Sequence, residues 1–275
     1  MRLRVRLTVL FATAVCQAQG GGPAFPFELR EGLLWVQVRT PEVAEPLNFL
    51  LDTGAGVSVL NLATARKLGL KLGQEVSVQG VGASAVGYWP ESLTAQAGEI
   101  SLPGKYLAVD LSELSGACKC RVDGLIGADF FCGRAVQIDF VTRQARIVQS
   151  GSVEPGQEII PLKVHKGAMG VAARINGVTT RWLRLDTGCA SPLQWVDAKH
   201  FTRATAPQVA VALSPISVGT TETTVQLGHH VFGAVQTGLH DKPIFPGESG
   251  LLGNGLLSRF SSVTIDLPAA RLLVN

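Results

Sequence analysis

The sequence predicts an all-β protein of two β-barrel-like lobes, related by internal duplication, with a cleft between them. Three observations carry that expectation. Three sequence blocks occur twice in the same order, and the stretches between them alternate with the two-residue period of strands. In addition, 31 glycines and 14 prolines are spread along 275 residues, as many short strands and turns require.

The duplicated blocks come first. Phe49-Leu50-Leu51-Asp52-Thr53-Gly54-Ala55 is echoed by Leu183-Arg184-Leu185-Asp186-Thr187-Gly188-Cys189. Gly124-Leu125-Ile126-Gly127-Ala128-Asp129-Phe130-Phe131 is echoed by Gly250-Leu251-Leu252-Gly253-Asn254-Gly255-Leu256-Leu257. Val136-Gln137-Ile138-Asp139-Phe140 returns as Val263-Thr264-Ile265-Asp266-Leu267. From Asp52 to Gly127 is 75 positions and from Asp186 to Gly253 is 67, so the spacing is nearly kept. A lone Asp-Thr-Gly is an ordinary turn tripeptide; three blocks repeated in order are a duplicated unit.

Between the blocks, Leu34 to Val38, Val76 to Gln79, Arg146 to Val148, Val171 to Ile175, Val209 to Leu213 and Thr223 to Leu227 read as strands. Asn61 to Leu68 reads as a short helix, with Asn61 as N-cap and Gly69 as its stop. Gln194 to Phe201 is its expected counterpart. Gln149 to Gln157, carrying Gly, Ser, Pro and Gln, is the expected linker. The lobes are therefore expected at about 28–150 and 157–275.

Residues 1–18 read as a signal peptide. Arg2, Arg4 and Arg6 precede the apolar run Leu7 to Val15, and Cys16-Gln17-Ala18 supplies small residues for cleavage after Ala18. Acylation of Cys16 is disfavoured, because Val15 stands where such sites carry Gly or Ala. The expected location is periplasmic or secreted. The full chain has 24 basic and 21 acidic residues; without the three leader arginines the two balance at 21 each. The basic pI therefore does not imply a nucleic-acid partner. No apolar run approaches the roughly 18 residues of a spanning helix.

Of the cysteines beyond the leader, an oxidising compartment permits a disulfide from Cys118 or Cys120 to Cys132, with free thiols as the alternative. The Cys-Lys-Cys triplet lacks the spacing of a metal site. His229 and His230 are adjacent, so on a strand they would face opposite ways, as surface residues. Neither a metal nor a cofactor is expected, and no Gly-x-Ser-x-Gly nucleophile motif occurs.

A hydrophobic strand ending in Leu51-Asp52-Thr53-Gly54-Ala55, then a short helix, then Gly124-Leu125-Ile126-Gly127-Ala128-Asp129-Phe130, resembles the retropepsin-like aspartic proteases, including bacterial exported members. Two such units in one chain resemble the bilobal arrangement of pepsin in a more compact form. The resemblance implies an aspartic endopeptidase, acting on peptide or protein substrates as a monomer, with Asp52 and Asp186 sharing one proton and activating a water. It implies that Thr53 and Thr187 lock the two loops across a pseudo-two-fold axis, and that Gly54 and Gly188 let the backbone turn. Leu51 and Leu185 would wall the pair off from solvent. A flap is expected at the glycine-rich Val78 to Gly87, with Gly80, Val81, Gly82 and Ala83 at its tip; Val211 to Thr224 is the corresponding stretch in the second half, and Tyr88 and Trp89 are read as core more than cleft.

Asp139 and Asp266 recur near strand ends and are read as structural. Asp129 is set against Asn254 and is therefore not a paired acid. The sequence departs from the pepsin pattern at Ala55 and Cys189, where a hydroxyl residue is usual, and also at Pro192 and Arg184. Gln19 to Glu28 is too short for a pepsin-type prosegment. The alternative to an enzyme is an inactive module that keeps the fold and captures extended peptides by strand addition; two intact Asp-Thr-Gly triplets favour the enzyme.

Overall fold

The computed structural model describes residues 22–80, 84–165, 167–178, 180–196, 204–210, 216–245 and 247–275. The expected leader and the flap-tip positions Val81, Gly82 and Ala83 lie outside the described residues. The regular secondary structure of the described residues is mostly strand, with only short helices, and forms two lobes, as the alternating segments require.

Alternation decides which side chains reach each core. Along the Val43–Leu51 strand, Leu47, Phe49 and Leu51 are buried in the main core. Leu50 points the other way, into a smaller cluster with Trp35 and Leu125. That strand lies antiparallel to Leu33–Thr40 and parallel to Gly124–Ile126, with Leu50 opposite Leu125. The second half repeats the arrangement: Thr180–Asp186 runs parallel to Gly250–Gly253, with Arg184 opposite Leu251. A third short strand flanks each pair, Val59–Asn61 in one half and Leu193–Trp195 in the other, antiparallel to the glycine-bounded strand.

The expected helix spans Leu62–Lys67, where the Asn61 side chain accepts from the Ala63 N–H at 3.1 Å and Gly69 takes φ +72° just beyond the end. The expected counterpart is corrected at its start. Gln194 and Trp195 belong to a buried strand bonded on both sides, and 197–203 lie outside the described residues.

The two halves also share a sheet. Its outer part runs Ala24–Pro26, Gln144–Val148, Ala135–Asp139, Ser262–Asp266, Arg271–Val274 and Glu158–His165, in that spatial order. Ala135–Asp139 pairs antiparallel with Ser262–Asp266, and Gln137 stands opposite Thr264. The run 149–157 joins the Gln144–Val148 and Glu158–His165 strands across this sheet.

Other expectations are corrected by local packing. The four described cysteines are free; Cys118 and Cys120 pack against the Leu50 cluster, whereas exposed Cys132 follows a 3-10 turn whose Phe130 and Phe131 enter the main core. His229 lies in a turn and His230 opens the next strand, so their rings do not diverge: His229 Nδ1 and His230 Nε2 approach the two carboxylate oxygens of Glu158 at 2.7 and 3.2 Å. No helix among the described residues is long and apolar enough to cross a membrane.

Candidate active site

Asp52 and Asp186 leave the ends of their strands on matching loops and meet between the lobes. Thr53 and Thr187 interlock beneath them. The Thr53 N–H donates to Thr187 Oγ1 at 2.9 Å and the Thr187 N–H to Thr53 Oγ1 at 3.0 Å. Each hydroxyl then donates across to the opposite strand, Thr53 to the Leu185 carbonyl and Thr187 to the Leu51 carbonyl, both at 2.8 Å. Both threonines are fully buried, so all four bonds are shielded from water. Leu51 and Leu185 themselves point into the main core and do not wall the carboxylates.

Gly54 and Gly188 are required by close approach rather than by a left-handed backbone. A Cβ on Gly54 would run into the Asp186 carboxylate, and one on Gly188 into that of Asp52. Each loop thus leaves room for the opposite acid, and each carboxyl group lies against the glycine of the facing loop. Burial raises the pKa of Asp52, against the Ala55 and Gly54 N–H groups that donate to it at 3.1 and 2.9 Å. Burial pushes Asp186 well above the usual carboxylate range, and the charge of Asp52 pushes it further. Both shifts favour the protonated form, and two acids so placed titrate as a coupled pair.

No side-chain hydroxyl follows either triplet. The Cys189 thiol turns to Ser191 Oγ at 3.1 Å, and burial, then the neighbouring Asp186, push its pKa up to about 12, so it stays neutral. Ser191 in turn accepts from the Gln194 amide at 2.6 Å, whose oxygen meets His240 Nε2 at 2.7 Å. Burial lowers the His240 pKa, against the charge of Asp241, and so favours the neutral ring at the end of this chain of polar groups.

A cavity of about 510 Å³ opens beside the acids. Leu50, Val59, Val78, Leu107, Leu114 and Leu125 give its first-half wall an apolar surface. Gly80 also lines it, from the end of the Glu75–Gln79 strand, whose hairpin partner is Ser84–Tyr88. Tyr88 and Trp89 are not cavity walls; the Tyr88 hydroxyl reaches Glu75 at 3.4 Å, and Trp89 is exposed. In the second half, 211–215 lie outside the described residues and Ile216–Leu227 is a long strand.

Arg184 is the residue whose role the sequence did not disclose. Its guanidinium grips Glu248 with two bonds, at 2.7 and 2.5 Å, and donates to the Gly54 carbonyl of the opposite loop at 2.7 Å. Phe245 covers its face at 3.7 Å. Its position two residues before Asp186 was the signal; Phe245 and Glu248 sit in an irregular Gly/Pro stretch that has no periodicity to expose them.

The remaining acids support the backbone. Asp139 caps a turn through the Val141 and Thr142 N–H groups. Asp266 accepts from Ser150, Gly151, Ala269 and Arg271; burial works to raise its pKa, and those donors together hold it below the usual range. Asp129 accepts from Ser58 at 2.7 Å, and Ser58 takes the Gly127 N–H. Its expected match to Asn254 is corrected by the backbone. Ala128 N donates to Ala55 O and Asn254 N to Cys189 O, so Asn254 stands at the place of Ala128, and Gly255 at that of Asp129. The polar Ser58–Asp129 pair is thus replaced by Pro192 packed on Gly255, where a Cβ would strike the proline ring.

No curated protein matches the chain. A family model described as aspartyl protease matches residues 36–130, from within the Leu33–Thr40 strand through Asp52 to Phe130, so the likeness to aspartyl proteases lies in the first half of the chain.

Proposed function

We propose that this chain is an aspartic endopeptidase, in which Asp52 and Asp186 activate a water to hydrolyse a peptide bond. The observation that carries this reading is the pair of carboxyl groups brought together by two interlocked loops, each against the other loop's glycine, beside a largely apolar cavity. The ionised carboxylate takes a proton from water as its oxygen adds to the scissile carbonyl carbon. The other acid gives its proton to the carbonyl oxygen. Collapse of the resulting gem-diol breaks the C–N bond, the nitrogen takes up a proton, and the pair is left with one proton again. No covalent intermediate is formed.

The two halves are read as lobes 28–150 and 157–275 of one duplicated unit, so one chain holds both acids and acts as a monomer. The Glu75–Tyr88 hairpin, with Gly80, Val81, Gly82 and Ala83 at its tip, is read as the flap over an extended substrate. Residues 1–18 are read as a signal peptide that exports the chain to the periplasm or the medium. The test is hydrolysis of peptides by the purified protein between pH 3 and 7, with inhibition by a statine-type transition-state mimic. Tight peptide binding with no turnover at any pH would replace the enzyme with a binding module.

A further inference from the structure

The two-fold relation of the strands sets Arg184 and Leu50 at equivalent places. Each lies two residues before its acid, and each stands opposite the leucine of its glycine-bounded strand, Leu125 or Leu251. Both also line the same cavity. Leu50 ends in a short apolar fork and leaves open space among Val59, Leu107 and Leu125. Arg184 instead extends back across the cleft to the Gly54 carbonyl.

Three contacts fix that arm. Glu248 binds one edge of the guanidinium plane through Nε and Nη2, Gly54 O takes a third donor, and Phe245 covers a face. The side chain is 11% exposed and its partner carboxylate 21%. A bidentate pair of this kind neutralises the charge and restricts the rotamers, so the arm behaves as a wall.

We infer that Arg184, locked by Glu248 and Phe245, closes the subsite opposite the Leu50 pocket, so that the protein takes substrates with a bulky apolar residue on one side of the scissile bond and a small residue on the other. This rests on the proteolytic reading above. On the Leu50 side a leucine-sized group loses water against apolar walls. On the Arg184 side the same group meets a filled position and gains no burial. Excluding a leucine-sized group from a pocket is worth on the order of 10- to 100-fold in selectivity.

The experiment has two arms. A random peptide library cleaved by the wild-type protein should show a bulky apolar residue on one side of the cut and Gly, Ala or Ser on the other. In Arg184→Leu/Glu248→Leu, which removes both charges and leaves no buried ion unpaired, the small-residue preference should fall at least about tenfold while the apolar preference opposite persists. Arg184→Met/Glu248→Gln serves as a second variant, with thermal melting to verify folding.

The second arm measures binding of two non-cleavable reduced-amide peptides, one with leucine on both sides of the amide and one with leucine and alanine. Cleavage with leucine accepted equally on both sides overturns the closed subsite and keeps the protease. An acidic preference on the Arg184 side also overturns it, by showing a charge not spent on Glu248. No cleavage, with the alanine peptide bound at least tenfold better, sinks the protease reading and keeps the closed subsite. Binding of neither peptide overturns both.

Discussion

Changing Asp52 or Asp186 to Asn keeps the side-chain shape and abolishes ionisation. Either variant should lose at least about 10³-fold in kcat/KM, and the double variant should be little worse, because the pair acts as a unit. Near-normal turnover in Asp186→Asn would remove the second half from the chemistry. The same substitutions should stabilise the fold, with a defined pH dependence. Both acids have pKa values raised by burial, so the folded chain holds protons that the unfolded chain has released above about pH 3.9. That penalty is absent at low pH and grows as pH rises toward the folded values. Asp186→Asn should therefore match the wild-type melting temperature near pH 3 and exceed it near pH 7. Asp266 runs the opposite way: its lowered pKa contributes stability above about pH 3.9 that disappears as pH falls through the folded value. Asp266→Asn should lower the melting temperature at pH 7, and the gap should narrow by pH 2. For activity, the absence of a hydroxyl at Ala55 and Cys189 leaves the acids without one more donor to the charged form. An optimum of about pH 4 to 6 follows, and a maximum near pH 2 or pH 8 would contradict it.

At the scale of elements, the two Asp-Thr-Gly loops are joined by four buried hydrogen bonds of Thr53 and Thr187. Thr187→Val leaves the Leu51 carbonyl and the Thr53 N–H unpaired, at about 1–3 kcal/mol for each group. Its melting temperature should drop by roughly 5–15 °C, and Thr187→Ser should restore most of it; an unshifted melt would show the loops to be held elsewhere. These loops, the capped helix at Asn61 and the strand ends were legible in the sequence because each is coded within a few adjacent residues. What was not legible was coded at long range. The helix expected from Gln194 to Phe201 starts instead in a strand, because two neighbours bond Gln194 and Trp195 on both sides, which local propensity does not register. Cys118 and Cys120 lie near Cys132 in sequence but pack against the Leu50 cluster, whereas Cys132 is exposed. The place of Asn254 was misread because adjacent block letters align in two ways, and only the bond to Cys189 O decides between them. Glu248 and Phe245 became visible as site residues only once Arg184 was seen to reach them.

For the whole molecule, the shared sheet binds the halves more firmly than the 149–157 connection does. Three strands from the first half adjoin three from the second, and the main hydrophobic core contains residues of both. Unfolding should accordingly give one calorimetric transition whose van't Hoff and calorimetric enthalpies agree, and two separate peaks would mean that the halves melt alone. Because both acids lie in one chain, specific activity should stay constant on dilution; a second-order loss would require a partner chain. The join between the halves has a further property. Gln137 lies opposite Thr264, its own repeat-equivalent, and Ala135 opposite Asp266, the equivalent of Asp139. The pairing is thus isologous: the Ala135–Asp139 edge meets what is in register a second copy of itself. A chain ending before residue 151 would carry that edge unpaired, together with one Asp52 and one Thr53. Two such fragments can pair edge to edge in the same register, giving a symmetric dimer that brings two Asp52 side chains to one axis, which sedimentation of the fragment would reveal.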